Sequence, residues 1–228
     1  MSFKIGILGL AGSGKDTFAA MLVQEINDLG DMPDLIIDRY AAPLKKLTAN
    51  IFGLTLEQVE DREIKEKPKQ INRDVMIDEV FHCLERVLKF NLEEMDEASH
   101  LFFEHFQSTR AISPREFQQL FGTEVVRKVK RTAWRDRLQN RPRDIVVPDV
   151  RFENELCDIN ILIKRFENID RPKHESEHLA WDLQFTGRVA VLDIPLFEIN
   201  NRRPISLDEL RAQARATAKN IIQIRQGA

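Results

Sequence analysis

The segment Gly9-Leu-Ala-Gly-Ser-Gly-Lys-Asp-Thr17 follows directly on the apolar run Ile5-Gly-Ile-Leu8, and its residue types and spacing suit the binding of a polyphosphate. A glycine-rich turn between a strand and a helix aims backbone N–H groups and the positive end of the helix dipole at one anionic spot. Glycine at positions 9, 12 and 14 lets the loop take left-handed turns and lets phosphate oxygens approach the backbone. Lys15 adds a mobile cation for the outer phosphates. Asp16 stands where the pattern GxxxxGK[ST] has its hydroxyl, and Thr17 carries the hydroxyl one residue later. A magnesium ion held largely by water and phosphate tolerates that shift, with Asp16 acting on it indirectly.

A second group is Asp149-Val-Arg-Phe-Glu-Asn-Glu155, just beyond the apolar run Ile145-Val-Val. If a helix begins there, Arg151 and Glu155 sit one turn apart on one face. They would then be either an arginine gripping a phosphate beside an acid that orients it, or an ordinary helical ion pair. Between Arg110 and Arg143 lies a dense basic run that includes Arg115, Arg127, Lys128, Lys130, Arg131, Arg135 and Arg137, with Trp134 among them. A solvated helix face accounts for most of these charges, while an enzyme clamping polyanions would keep two or three in its cleft. Trp134 could stack on a base or lie in the core. Arg165 and Arg171 flank a loop leading to His174-Glu-Ser-Glu-His178. Its histidine spacing hints at zinc but lacks the HExxH order, and a lid over 165–180 that brings an arginine to the phosphates is the better expectation.

These groups need elements to position them. Phe18, Leu22 and Ile26 recur at helical spacing after the glycine loop, and Gly30 ends that helix. Leu35–Asp38 reads as a second strand, leading to an amphipathic helix through Phe52. The stretch 55–112 has no strand signal and reads as a helical insertion, with Val80, Phe81, Leu84, Val87 and Leu88 on one helix face and Phe102, Phe103 and Phe106 on another. Ser113-Pro-Arg-Glu116 is a helix start. Beyond it Phe117, Leu120, Phe121 and Val125 form an apolar stripe, and Arg115, Gln119, Gly122 and Thr123 share another side. Gly122 in mid-helix costs roughly 1 kcal/mol against alanine and so calls for a packing or binding reason. Ile145–Asp149, Asn160–Lys164 and Val189–Leu192 read as further strands, and Leu207–Ile224 as a final amphipathic helix. Alternation of strands and helices predicts an α/β protein with a doubly wound parallel sheet. Ligand groups then gather at the carboxyl ends of the strands, which puts Asp149 beside the phosphates.

The bulk properties agree. At 228 residues the chain suits one domain with an insertion; 43% hydrophobic and 31% charged residues allow a sizeable core. A net charge of −3 argues against a general nucleic-acid binder. Cys83 and Cys157 show no metal spacing and fit a reduced, intracellular protein. The first strand begins almost at once, so no leader is expected, and no apolar run reaches transmembrane length. The expected compartment is the cytosol.

Taken together, the chain resembles the bacteriophage deoxynucleoside monophosphate kinases. The matching residues are GLAGSGKDT at Gly9–Thr17, AAPLK at Ala41–Lys45, REFQQLFGTEVVR at Arg115–Arg127, Trp134, PDVRFENE at Pro148–Glu155, and HESEH, in the family's order and over most of the chain outside the insertion. The resemblance implies a three-layer P-loop NTPase fold with a mostly parallel sheet, one kinase domain over 1–228, and transfer of the ATP γ-phosphate to a deoxynucleoside monophosphate with Mg²⁺. It implies that Gly12, Ser13, Gly14, Lys15, Asp16 and Thr17 serve ATP. Lys45, Arg115, Gln119, Gly122, Thr123, Trp134, Asp149, Arg151 and Glu155 would form the monophosphate site. Catalysis would fall to Lys15, Asp16, Arg115, Arg151 and Glu155. The partners are then small nucleotides, with neither nucleic acid nor membrane. The apolar faces of the insertion either make a homodimer or serve as its own core. Two rivals share the loop: another small-molecule kinase of the dephospho-coenzyme A kinase kind, and an ATP-dependent switch. Against the switch, Val150 rather than a second acid follows Asp149, and no NKxD motif occurs.

Overall fold

The computed structural model describes residues 2–30, 35–107, 111–139, 142–165, 169–172, 175–186, 195–202 and 205–227. It divides into two compact units, Met1–Arg39 with Arg141–Ala228, and Tyr40–Asn140. The stretch 55–112 lies inside the second unit, which begins earlier and ends later than the expected insertion.

The first unit opens with β1 (Lys4–Leu8), the glycine loop and α1 (Lys15–Leu29). Phe18, Leu22 and Ile26 are fully buried at the spacing read from the sequence. Gly30 closes the helix in the left-handed region, its N–H bonded to Asn27 O. A short β2 (Ile36–Ile37) follows.

The second unit runs through α2 (Ala42–Phe52), α3 (Leu56–Glu60), α4 (Arg62–Glu66), α5 (Arg73–His82), α6 (Leu92–His105), α7 (Pro114–Gln119) and α8 (Ala133–Gln139). Its short helices hold because their ends are capped: Thr55 with Gln58 and Asn91 with Glu94 form reciprocal boxes, while Asp61 and Asn72 accept from first-turn N–H groups. Ser113 accepts from Glu116 N, the capping half of the expected box. Phe102 and Phe106 stack at 4.9 Å, Phe106 meets Phe117 at 5.6 Å, and Phe117 stacks on Phe121 at 5.7 Å. These rings are buried. Of the two uses left open for the apolar faces, these side chains serve the unit's own core.

The chain returns to the first unit through β3 (Ile145–Val147), β4 (Ile159–Lys164), α9 (His178–Phe185), β5 (Leu196–Asn200) and α10 (Leu207–Gly227). The sheet order is β2-β3-β1-β4-β5, and every described pairing is parallel. Ile5 lies between Val146 and Ile159 in register. β1 is therefore central, and the chain leaves β3 on one side of it to return as β4 on the other. Loops leaving the carboxyl ends of β1 and β3 lie side by side, which is what a ligand crevice in this topology requires. Helix α1 packs against α10 over Ile5, Ile7, Val146, Ile161 and Ile163, with Leu210, Ala214, Ala218 and Ile221 from α10 filling the same core. This α/β sheet flanked by helices has the architecture of a P-loop kinase.

The strand expected over Ile145–Asp149 stops at Val147, with Pro148 and Asp149 in a turn. The one expected at Val189–Leu192 lies outside the described residues. β5 was not anticipated: its sequence, Leu-Phe-Glu-Ile-Asn, forms an edge of the sheet with Ile199 buried, Leu196 and Phe197 half-buried, and Glu198 and Asn200 exposed. No described helix is long and apolar enough to cross a membrane.

Candidate functional site

The first unit builds a cradle at the end of β1. Gly12 and Gly14 have φ of 74° and 89°, a region that costs a residue with a Cβ, so the loop can wind tightly enough to present its N–H groups on one side. Ser13 N–H bonds back to Leu10 O at 3.0 Å, and Phe18 N–H to Gly14 O at 2.9 Å, starting α1. Ser13 is fully buried and its hydroxyl meets no partner among the described residues. A buried hydroxyl without a partner costs stability until an acceptor or donor reaches it. A polyphosphate oxygen at the loop would fit that need, and Asp16, Thr17 and Asp149 are oxygen donors of the class magnesium prefers. The residues present therefore fit a magnesium-nucleotide.

Lys15 lies at the start of α1. Burial pushes its pKa below the usual lysine value, and the Arg151 guanidinium pushes the same way; Asp16, Glu177 and Asp149 pull it partly back. This ammonium is thus poorly solvated and attracted to negative charge, which a phosphate would supply. Asp16 is exposed and pairs with Arg39 at 2.9 Å. Arg39, beside the end of β2, was missed in the sequence, although its place at a strand's carboxyl end was a readable signal. Glu177 was met only as part of the HESEH motif. Of that motif's histidines, His174 lies outside the described residues and His178 Nε2 sits 2.9 Å from Pro172 O. Arg165 donates to Gly12 O at the loop itself. Arg171 instead pairs with Asp182 at 3.3 Å and lies over Trp181 in its own segment.

Arg151 and Glu155 do not share a helix face, because the segment forms only a short 3-10 turn over Glu153–Glu155. Glu155 is 1% exposed and turns its carboxylate back: the N–H groups of Arg151 and Phe152 donate to Oε2 at 2.9 and 3.3 Å. A charge so buried is tolerated when hydrogen-bonded, and here it fixes the backbone that carries Arg151. Glu155→Ala should therefore lower turnover through a displaced Arg151 and cost roughly 1–3 kcal/mol of stability for the backbone donors left unpaired. Thermal melts read beside steady-state rates check this; a variant with unaltered rates would leave Glu155 a purely structural group.

In the second unit, Arg115 and Gln119 are exposed on α7, and from Leu120 to Arg127 the winding loosens to a π-helix, a feature frequent at functional sites. Gly122 falls in that stretch. A Cβ there would meet Leu44 Cδ2 at 2.8 Å, which supplies a packing reason for the glycine. Trp134 is 3% exposed and donates its indole N–H to Gly122 O at 3.2 Å. The indole is a core group bracing the π-helical turn, and Thr123 is half-buried beside Gly122. Lys45 pairs with Glu60, and Arg115 with Glu66 at 3.2 Å. Much of the basic run is spent locally: Lys130 pairs with Glu94 at 3.0 Å and Arg135 with Asp136 at 3.3 Å.

The structure thus gathers Lys15, Asp16, Asp149 and Arg151 around the glycine loop in one unit, and places Lys45, Arg115, Gln119, Gly122, Thr123 and Trp134 in the other. No family model matches the chain. The chain is similar to the deoxynucleoside-5'-monophosphate kinase of Escherichia phage T5, with 29% identity over 180 residues that cover 68% of this chain and 70% of that protein.

Proposed function

We propose that this protein is a deoxynucleoside monophosphate kinase, transferring the γ-phosphate of ATP to a deoxynucleoside monophosphate to give the diphosphate. The observation that carries the reading is the convergence at the glycine loop: Asp149 and Arg151, remote from Lys15 in sequence, lie near enough to it to bear on its charge. The similarity to a deoxynucleoside-5'-monophosphate kinase selects the acceptor class.

Phosphoryl transfer asks the protein for alignment, charge neutralisation and exclusion of water. Gly12, Ser13, Gly14 and Thr17 hold the ATP phosphates through backbone N–H groups and hydroxyls, and Lys15 supplies positive charge to the outer ones. Bound magnesium neutralises phosphate charge, with Asp16, Thr17 and Asp149 as the oxygen groups that would hold it directly or through water. Arg151, on the backbone fixed by Glu155, grips the acceptor phosphate or the group in transfer. Arg115, Lys45, Gln119 and Thr123 form the acceptor side in this reading. Gly122 and Trp134 shape the helix that carries them. The substrates belong to the nucleotide pool, and the compartment proposed is the cytoplasm of a phage-infected host.

A panel of acceptors offered with ATP and Mg²⁺ tests the proposal. One or more deoxynucleoside monophosphates should be converted to the diphosphate, with ATP hydrolysis slow when no acceptor is present. Turnover of dephospho-coenzyme A alone, or hydrolysis equally fast without any acceptor, would overturn it in favour of the corresponding rival.

A further inference from the structure

We propose that Asn201, stationed by Gln213 of α10, is a positioning residue for the glycine loop. The inference rests on the nucleotide-binding reading above and adds residues that no motif contains. Asn201 Nδ2 donates to Ser13 O at 2.9 Å across 188 positions of sequence. The same nitrogen lies 3.1 Å from where a Cβ on Gly14 would stand, so the amide sits against the Ser13–Gly14 peptide. A trans peptide is planar, with its C=O and N–H pointing to opposite sides. Holding the Ser13 carbonyl outward therefore aims the Gly14 N–H the other way, as a phosphate-binding loop requires.

Asn201 is itself held before its side chain reaches the loop. Its backbone N–H donates to Lys164 O at 2.7 Å, continuing the β4–β5 ladder. One residue earlier, Asn200 N–H donates to Gln213 Oε1 at 3.1 Å, and Gln213 Nε2 donates to Asn200 O at 3.2 Å. One side-chain amide thus satisfies both backbone groups of Asn200 where the sheet edge ends. Arg202 N–H closes the turn onto Asn200 Oδ1 at 3.2 Å. The connection runs from α10 through the end of β5 to the carbonyl of Ser13, whose own hydroxyl is buried without a partner among the described residues. Every link is a neutral hydrogen bond, so it fixes geometry while leaving the positive field of the loop unchanged.

The test is the affinity for MgATP, measured by calorimetry on the full chain as wild type, Asn201→Leu, Gln213→Met and the double variant. Asn201→Leu should weaken MgATP binding roughly three- to tenfold, the loss expected for one positioning hydrogen bond. Gln213→Met should weaken it less, and the double variant should bind no worse than Asn201→Leu alone, because Gln213 acts through Asn201. KM for the acceptor should stay unchanged. Asn201→Leu binding as tightly as wild type would overturn the inference, as would additive losses in the double variant. Should Asn201→Leu not fold, Gln213→Met decides: unaltered affinity there overturns it. A wild-type protein that binds no MgATP would overturn the nucleotide reading itself, whereas tight wild-type binding with unaffected variants removes only the role of Asn201.

Discussion

Lys15→Met should abolish most phosphoryl transfer and, in the same protein, raise the melting temperature of the unliganded state. The first effect follows from the loss of a fixed cation where negative charge must be met in a poorly solvated place. Removing one preorganised donor of this kind costs roughly a hundred- to a thousandfold in turnover. The second follows from the direction of the lysine's pKa. Burial lowers it from the ordinary lysine value of 10.5, and the nearby carboxylates recover only part of the loss. The folded state therefore disfavours the charged lysine on balance, and an apolar side chain of similar length relieves it.

The pH dependence has a definite sign. Between the depressed folded value and 10.5 the unfolded chain binds more protons at this position than the folded chain. The Lys15 contribution to stability thus rises with pH across that window, and its cost is fully present below the folded value. Melts taken from neutral pH towards about pH 10 should show wild type gaining on Lys15→Met as the lysine discharges. A variant that melts no higher than wild type at neutral pH would refute the stability argument; retained turnover would remove Lys15 from the chemistry.

Arg151→Lys should lower turnover roughly a hundredfold while leaving the affinity for MgATP nearly unchanged. The substitution keeps the charge and hence the electrostatic push on Lys15. What it loses is the planar fork that meets two phosphate oxygens at once. That geometry matters here because the backbone under Arg151 is not free to adjust. Its N–H is bonded to the buried carboxylate of Glu155, so a point charge on a flexible stem cannot recover the alignment by moving its support. Turnover and KM measured separately for ATP and for the acceptor check the prediction. A fall confined to ATP affinity would assign Arg151 to the nucleotide, and unaltered kinetics would take it out of the transfer site.

Much of the loop and its helix was legible because it is local. Gly9–Thr17 depends on nearest neighbours, backbone freedom and the dipole of the helix it starts. The burial of Phe18, Leu22 and Ile26 follows from a repeat that one helix sees by itself. The same holds for Ser113 at its helix start and for α10, and the succession of apolar runs and amphipathic helices was enough for an α/β sheet. β5 escaped because an edge strand needs only one buried side, and five residues with Ile199 alone buried give a weaker signal than a continuous apolar run.

The amino-acid sequence by itself determined a glycine-rich loop between strand and helix on a parallel sheet and the acid and arginine that follow the third strand. Only the tertiary structure decided what those groups meet. It turned Glu155 inward beneath Arg151 and committed Trp134 to the carbonyl of Gly122. It brought Arg39 to Asp16, Glu177 within reach of Lys15, and Asn201 to Ser13. The reason is physical: helical periodicity and turn chemistry act over a few residues, while a hydrogen bond or ion pair between distant positions exists only once the strands have taken their order and register.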